Sequence, residues 1–260
     1  MPKVIVSGRG GSGKSTLVAL MAKRLAERGP VLVVDADESN LGLGAMLGLE
    51  PPGQTILENL GGKPAVRENL LASLRGGDGE RVEIFADGLA IDSLPPEASR
   101  KKGHLTFVRV GKIDHSMEGC ACPMGAVARA FLKKLTVGDD EWVLVDTEAG
   151  VEHFGRGILE GADCVVFIVE PSHEGAILAD KASRLAGEVG KPFYAVLNKV
   201  DDDTEPVLMS RLSKNDLVVL GVIPYDQRIA RANLEGDSLE GMLLEAELDR
   251  ILASLASSGH

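Results

Sequence analysis

Cysteine is scarce in this chain of 260 residues: Cys120, Cys122 and Cys164 are the whole supply. Three thiols cannot build a disulfide framework, and paired thiols in a reducing compartment point to metal or redox chemistry instead. An excess of positive charge is also missing. Lys and Arg number 28 against 39 Asp and Glu, a formal charge of −11. No Lys/Arg cluster is large enough to offset that acidity, so no nucleic-acid partner is expected. No apolar run approaches the ~20 residues that cross a bilayer. The start, PKVIVSGRGG, has neither the basic region nor the apolar core of a leader. A cytoplasmic protein without a membrane partner is the expectation, and no internal repeat is visible.

What is present is a rhythm. The runs KVIVSG, PVLVVDAD, EWVLVDTEAG, DCVVFIVEPS, PFYAVLNKVD and DLVVLGVIPYD are continuously apolar, as strands covered on both faces are. Most precede a helical pattern; after the first, Leu17, Leu20, Met21 and Leu25 form one stripe and Gly29 stands as a C-cap signal. Repetition of strand, loop and helix predicts an α/β fold: a mostly parallel sheet with helices on both faces and right-handed crossovers. At 260 residues and 44% apolar content, one domain spanning 1–260 is expected. A Gly/Pro-rich stretch at about 50–115 breaks the rhythm and reads as a surface insertion leading into the Cys-x-Cys segment. MGAVARAFLKKL then reads as a helix, and SLEGMLLEAELDRILASLASSGH as a closing one.

Gly8-Arg9-Gly10-Gly11-Ser12-Gly13-Lys14-Ser15 matches G-x-x-x-x-G-K-[ST] after a strand and before a helix, the context the motif requires. Backbone N–H groups from Gly10 through Thr16 are expected to surround phosphates, helped by the helix N-terminus. Lys14 is expected on the β/γ oxygens and the Ser15 hydroxyl on Mg²⁺. Asp146 ends WVLVD at the carboxyl edge of the sheet, where a Walker B aspartate orients Mg²⁺, and Gly150 fits a switch sensing the γ-phosphate. Asp35 and Asp37 follow the second strand at the same edge. Asp37 is the candidate for positioning the attacking water and for the Mg²⁺ shell; the alternative is that both acids merely begin a helix. The fold expected is thus a single-domain P-loop NTPase.

GRGGSGKST, DADES and VLVDTEAG resemble the deviant Walker A ATPases, the group that includes MinD, ParA, the nitrogenase iron protein and metal-insertion ATPases. Within it the chain is similar to the CooC-type ATPases that aid nickel insertion into carbon monoxide dehydrogenase. The likeness runs through the loop, the Cys-x-Cys, DTEAGVEHFGRG, VEPS, NKV and IPYD in that order. It implies an ATP-dependent homodimer that binds a transition metal, Ni²⁺ or Zn²⁺, through its cysteines and serves a client nickel enzyme. It also implies that Asn198 contacts adenine, with Lys199, Pro224 and Tyr225 around the base. The group's signature lysine reaches across the dimer to the partner's nucleotide; Arg9 stands in its place, keeping the charge with a bulkier fork. Asn198-Lys199-Val200-Asp201 also fits the N-K-x-D pattern of guanine-binding proteins, so GTP stays open as a rival to ATP.

Residues i and i+2 of an extended segment point the same way, so Cys120 and Cys122 can present two thiolates together. Two do not close a site, since Zn²⁺ takes four ligands in a tetrahedron and thiolate-bound Ni²⁺ four in a plane. Cys164, inside an apolar strand, reads as a buried small hydrophobe. A twofold axis through the motif supplies four sulfurs for one ion. The rivals are completion within one chain by His115, Glu118 or His153, a redox couple, or inert thiols. A ParA- or MinD-like positioning ATPase is the alternative function, and it would want a basic face for DNA or lipid.

Overall fold

The computed structural model describes residues 2–75, 84–85, 88–112, 122–151, 154, 157–241 and 244–257. Eight strands are described: β1 (Lys3–Gly8), β2 (Val31–Asp35), β3 (Ser99–Lys102), β4 (Leu105–Arg109), β5 (Trp142–Asp146), β6 (Cys164–Val169), β7 (Phe193–Val200) and β8 (Val218–Pro224). They form one sheet in the order β3-β4-β2-β5-β1-β6-β7-β8, parallel throughout except for the antiparallel β3–β4 pair. The helices are α1 (Lys14–Ala26), α2 (Leu43–Leu47), α3 (Ile56–Asn59), α4 (Gly62–Arg75), α5 (Cys122–Lys134), α6 (His173–Glu188), α7 (Thr204–Ser213), α8 (Gln227–Glu235) and α9 (Glu245–Ser257).

Why the central strands are apolar without alternation is plain from the layers. In β1, Ile5 packs into the layer covered by α3 to α7, while Val4 and Val6 pack into the opposite layer with α1, α2, α8 and α9. Val33 and Val34 divide in the same way in β2. Every side chain of such a strand has a helix over it, so the period-2 signal disappears.

The stretch at about 50–115 departs from expectation. It carries β3 and β4, and β4 lies inside the sheet with Leu105, Phe107 and Val108 buried. It also carries α3, started by a capping box in which Thr55 and Glu58 satisfy each other's backbone N–H. The edge strand β3, Ser-Arg-Lys-Lys, is largely exposed, and its lysines discourage pairing with another sheet. Two helix boundaries also differ from the sequence reading. α1 ends at Ala26, ahead of Gly29, whose N–H donates to Leu25 O. α9 begins at Glu245, so residues 238–241 are not part of the closing helix. Among the described residues no helix is long and apolar enough to cross a membrane.

Candidate nucleotide site

The phosphate loop follows β1, whose neighbours are β5 and β6, so it opens at the middle of the sheet's carboxyl edge. Ligands of open parallel sheets bind at such a crevice. Gly13 shows why the loop needs glycine. It is left-handed at φ 101, and a Cβ there would stand 2.2 Å from Asn198 Nδ2. The close approach matters because Asn198 Nδ2 donates to Ser12 O at 2.7 Å, and Lys199 Nζ donates to Gly11 O at 2.6 Å. The end of β7 therefore braces the loop from beside it. Lys199 adopts φ 61 to do so, a backbone region rarely used by residues with a Cβ. On the other side Gly150, at φ 86, donates its N–H to Gly8 O at 3.0 Å. Gly10 faces Ala149, whose Cβ would be 3.7 Å from a Cβ at Gly10. The turn that follows Asp146 is thus hydrogen-bonded to the loop itself.

Lys14 is buried at the first position of α1, with Nζ 3.4 Å from Arg9 O. Ser15 Oγ donates to Asp146 Oδ2 at 2.6 Å. Asn40, which carried no motif in the sequence, donates its Nδ2 to both groups, at 2.9 and 2.8 Å. Burial pushes the Asp146 carboxyl up to about 6, against the opposing effects of Ser15 and Lys14. Its second oxygen, Oδ1, is buried with no hydrogen-bond partner. An orphaned carboxylate oxygen beside a hydroxyl suits Mg²⁺, a hard cation that takes one or two protein ligands and otherwise keeps water and phosphate oxygens. Ser15 and Asp146 would hold it, and Asn40 would have to turn aside. Bound there, the ion would supply charge neutralisation for phosphates, which Lys14 and the loop amides would orient.

Asp35 ends β2 in register with Asp146 of β5. It does not cap a helix: α2 starts later, at Leu43, behind Gly42. Instead Asp35 is buried, accepting from Lys112 Nζ at 2.7 Å and from Asp37 N at 3.2 Å. Burial raises its carboxyl to about 7, with Lys112 pulling down and Asp146 pushing up. Asp37 projects beyond it, where Oδ1 accepts from Ser39 N at 2.9 Å and Ser39 Oγ at 2.6 Å. Two hydrogen bonds fix its orientation, as a group that positions water requires.

A cavity of about 490 Å³ continues from the loop, lined by Thr16, Asn198, Pro224, Tyr225 and Asn233 among others. That is the size of a small-ligand site. Asn233 Nδ2 donates to Thr16 Oγ1 at 3.1 Å and ties α8 to α1 there. Asn198 Nδ2 spends one N–H on Ser12 O and keeps a second N–H beside its acceptor Oδ1, so it can offer a base both a donor and an acceptor. Asp201 is not among the lining residues. Its carboxylate accepts from Thr204 N at 2.9 Å and Thr204 Oγ1 at 2.6 Å, and these bonds hold its pKa below the usual range. Asp201→Ala is therefore expected to leave the preference for adenine over guanine nucleotides unchanged in equilibrium binding; loss of a GTP preference in that variant would restore the guanine-reader role.

Arg9, at the signature-lysine position, is held within its own chain. It pairs with Glu170 at 2.5 Å and Glu174 at 2.7 Å, and the arginine is 41% exposed. The same two carboxylates raise its pKa. Reaching another chain's nucleotide requires leaving both.

Of the proposed metal ligands, Cys120 lies outside the described residues, as do His115, Glu118 and His153. Cys122 is the first residue of α5. Among the described residues no group of three or more His, Cys, Asp or Glu is placed to hold a metal ion. Cys164 is buried in β6, and burial pushes its thiol up to about 12, so it is no ready thiolate.

Residues 3–239 match the family described as the CobQ/CobB/MinD/ParA nucleotide binding domain. An uncharacterized ATP-binding protein of Methanocaldococcus jannaschii is 41% identical over 244 residues, covering 94% of this chain and 96% of that one. The carbon monoxide dehydrogenase accessory protein CooC of Rhodospirillum rubrum is 32% identical over 238 residues, 90% of this chain and 88% of its own. Among solved structures, MinD of Pyrococcus horikoshii, complexed with Mg-ADP, superposes with a TM-score of 0.68 at 19% identity, covering 98% of this chain and 99% of that one. The loop, the aspartates at the neighbouring strand ends and these likenesses agree: the chain belongs to the CobQ/CobB/MinD/ParA family of nucleotide-binding P-loop proteins.

Proposed function

We propose that this protein is an Mg²⁺-dependent ATPase that takes a transition metal, nickel or zinc, as cargo between the Cys-x-Cys pairs of a homodimer. The client is a nickel enzyme of the carbon monoxide dehydrogenase kind, a role carried here by the likeness to CooC. In this reading Lys14 and the loop amides hold the phosphates, Asp37 directs the attacking water, and Asn198, Pro224 and Tyr225 receive adenine. Arg9 exchanges Glu170 and Glu174 for the partner's nucleotide.

One observation carries the link between the two sites. The first turn of α5, the helix that opens on Cys122, lies against both nucleotide switches: Met124, Gly125 and Ala128 share a small cavity with Ala36, Thr147 and Glu148. Ala36 sits between Asp35 and Asp37, and Thr147 follows Asp146. A movement of either switch on γ-phosphate binding thus meets the cysteine-bearing helix directly. Packed interfaces pass such shifts on because they have discrete arrangements.

Coupling of this kind is reciprocal. Ni²⁺ affinity is expected to change by about tenfold, within the usual range for linked sites, between ADP and a non-hydrolysable ATP analogue. ATP-analogue affinity should change by the same factor on adding Ni²⁺. Calorimetric titrations in both orders check this; identical Ni²⁺ affinity in the two nucleotide states would contradict it.

A further inference from the structure

Lys112 is a lysine with a side chain only 3% exposed, paired with an aspartate 2% exposed. Taking two charges out of water is costly, and a buried pair is weak support for stability in itself. Its second bond is more telling. Lys112 Nζ also donates to the backbone carbonyl of Asp37, at 2.5 Å. Asp35 meanwhile accepts from the Asp37 N–H. The peptide groups on both sides of the Asp37 side chain are thus held from beneath, the N–H by Asp35 and the C=O by Lys112.

The backbone around Lys112 is equally fixed. Val110 N donates to Asp35 O at 2.9 Å, and Leu57 N donates to Val110 O at 2.9 Å. Gly111 lies so close to α5 that a Cβ there would be 2.7 Å from Met124 Sδ. From Lys112 the chain runs on through Cys120 to Cys122.

We infer that Lys112 is a positioning residue for nucleotide hydrolysis, clamping the Asp37 turn from inside the protein at the point where the chain leaves for the cysteines. It rests on the reading of Asp37 as the group that directs water. Lysine suits the task because one ammonium offers three donors on a long stem, enough to serve a carboxylate and a carbonyl together.

The test compares Lys112→Met with the double variant Asp35→Asn/Lys112→Met, following kcat, KM for ATP and melting temperature. Lys112→Met is expected to lower kcat on the order of ten- to a hundredfold, as misplacement of a reacting group does, with little change in KM. It should also melt earlier, because Asp35 loses its buried partner and must either hold an unpaired charge or take up a proton. In the double variant no ionisable group is left without its buried partner, so melting temperature should recover while kcat stays low. Recovery of kcat together with stability would reduce Lys112 to a structural ion pair and overturn the inference. So would wild-type kcat in folded Lys112→Met. If the single variant fails to fold, the double variant alone decides. A wild-type chain without ATP turnover would sink the reading of the site as an ATPase, an outcome separate from either of these.

Discussion

Lys14→Ala is expected to lower ATP turnover by roughly a hundred- to a thousandfold, the effect of removing one preorganised charge aimed at a reacting oxygen. The reason is local. Lys14 is the first residue of α1 and is buried beside the loop carbonyl of Arg9, so its ammonium is oriented toward the loop. In phosphoryl transfer the protein contributes mainly position and charge. Alanine is a good first-turn helix residue, and the fold should persist by circular dichroism. Turnover by phosphate release and binding of a fluorescent ATP analogue, measured on the same sample, separate lost chemistry from lost affinity. Unchanged turnover would mean the observed hydrolysis belongs to a contaminant or to another site.

The second large effect is predicted for Cys120→Ser/Cys122→Ser. A chain whose third thiol, Cys164, is sealed in β6 has no spare thiolate to take over. Serine hydroxyls do not ionise near neutral pH and are poor ligands for soft-ligand ions. Stoichiometric Ni²⁺ or Zn²⁺ uptake should therefore disappear in elemental analysis, while basal ATP turnover is kept. A variant still holding one ion per dimer would transfer the ligand role to other residues. Single Cys→Ser variants should lose most affinity as well, because one chain's share of the site falls from two sulfurs to one.

Much of the framework was legible because burial on both faces leaves a strong mark. β1, β2, β5, β6, β7 and β8 all stand out as unbroken apolar runs. β4 does not, since Leu105, Phe107 and Val108 are few and are interrupted by Thr106, and polar β3 has no apolar signal at all. The core role of β4 comes from its place between β3 and β2, a tertiary fact. The site divides along similar lines. Lys14, Ser15 and Asp146 are found by motif, and the structure brings Ser15 and Asp146 together. Asn40 and Lys112 escape, because no local pattern marks an amide between two ligands or a lysine whose carboxylate partner lies 77 residues away. Asn198 is a mixed case. The resemblance puts it near the base, and the fold adds that its nitrogen braces Ser12, which takes up one of its two N–H donors. Arg9 is another: its charge could be read, its pairing with Glu170 and Glu174 could not.

The most direct test of the whole account is native mass spectrometry of the wild-type protein loaded with Ni²⁺, without nucleotide, with ADP and with a non-hydrolysable ATP analogue. The account predicts a dimer carrying one ion, with its population set by the nucleotide. A monomer that retains the ion tightly in all three conditions would contradict it.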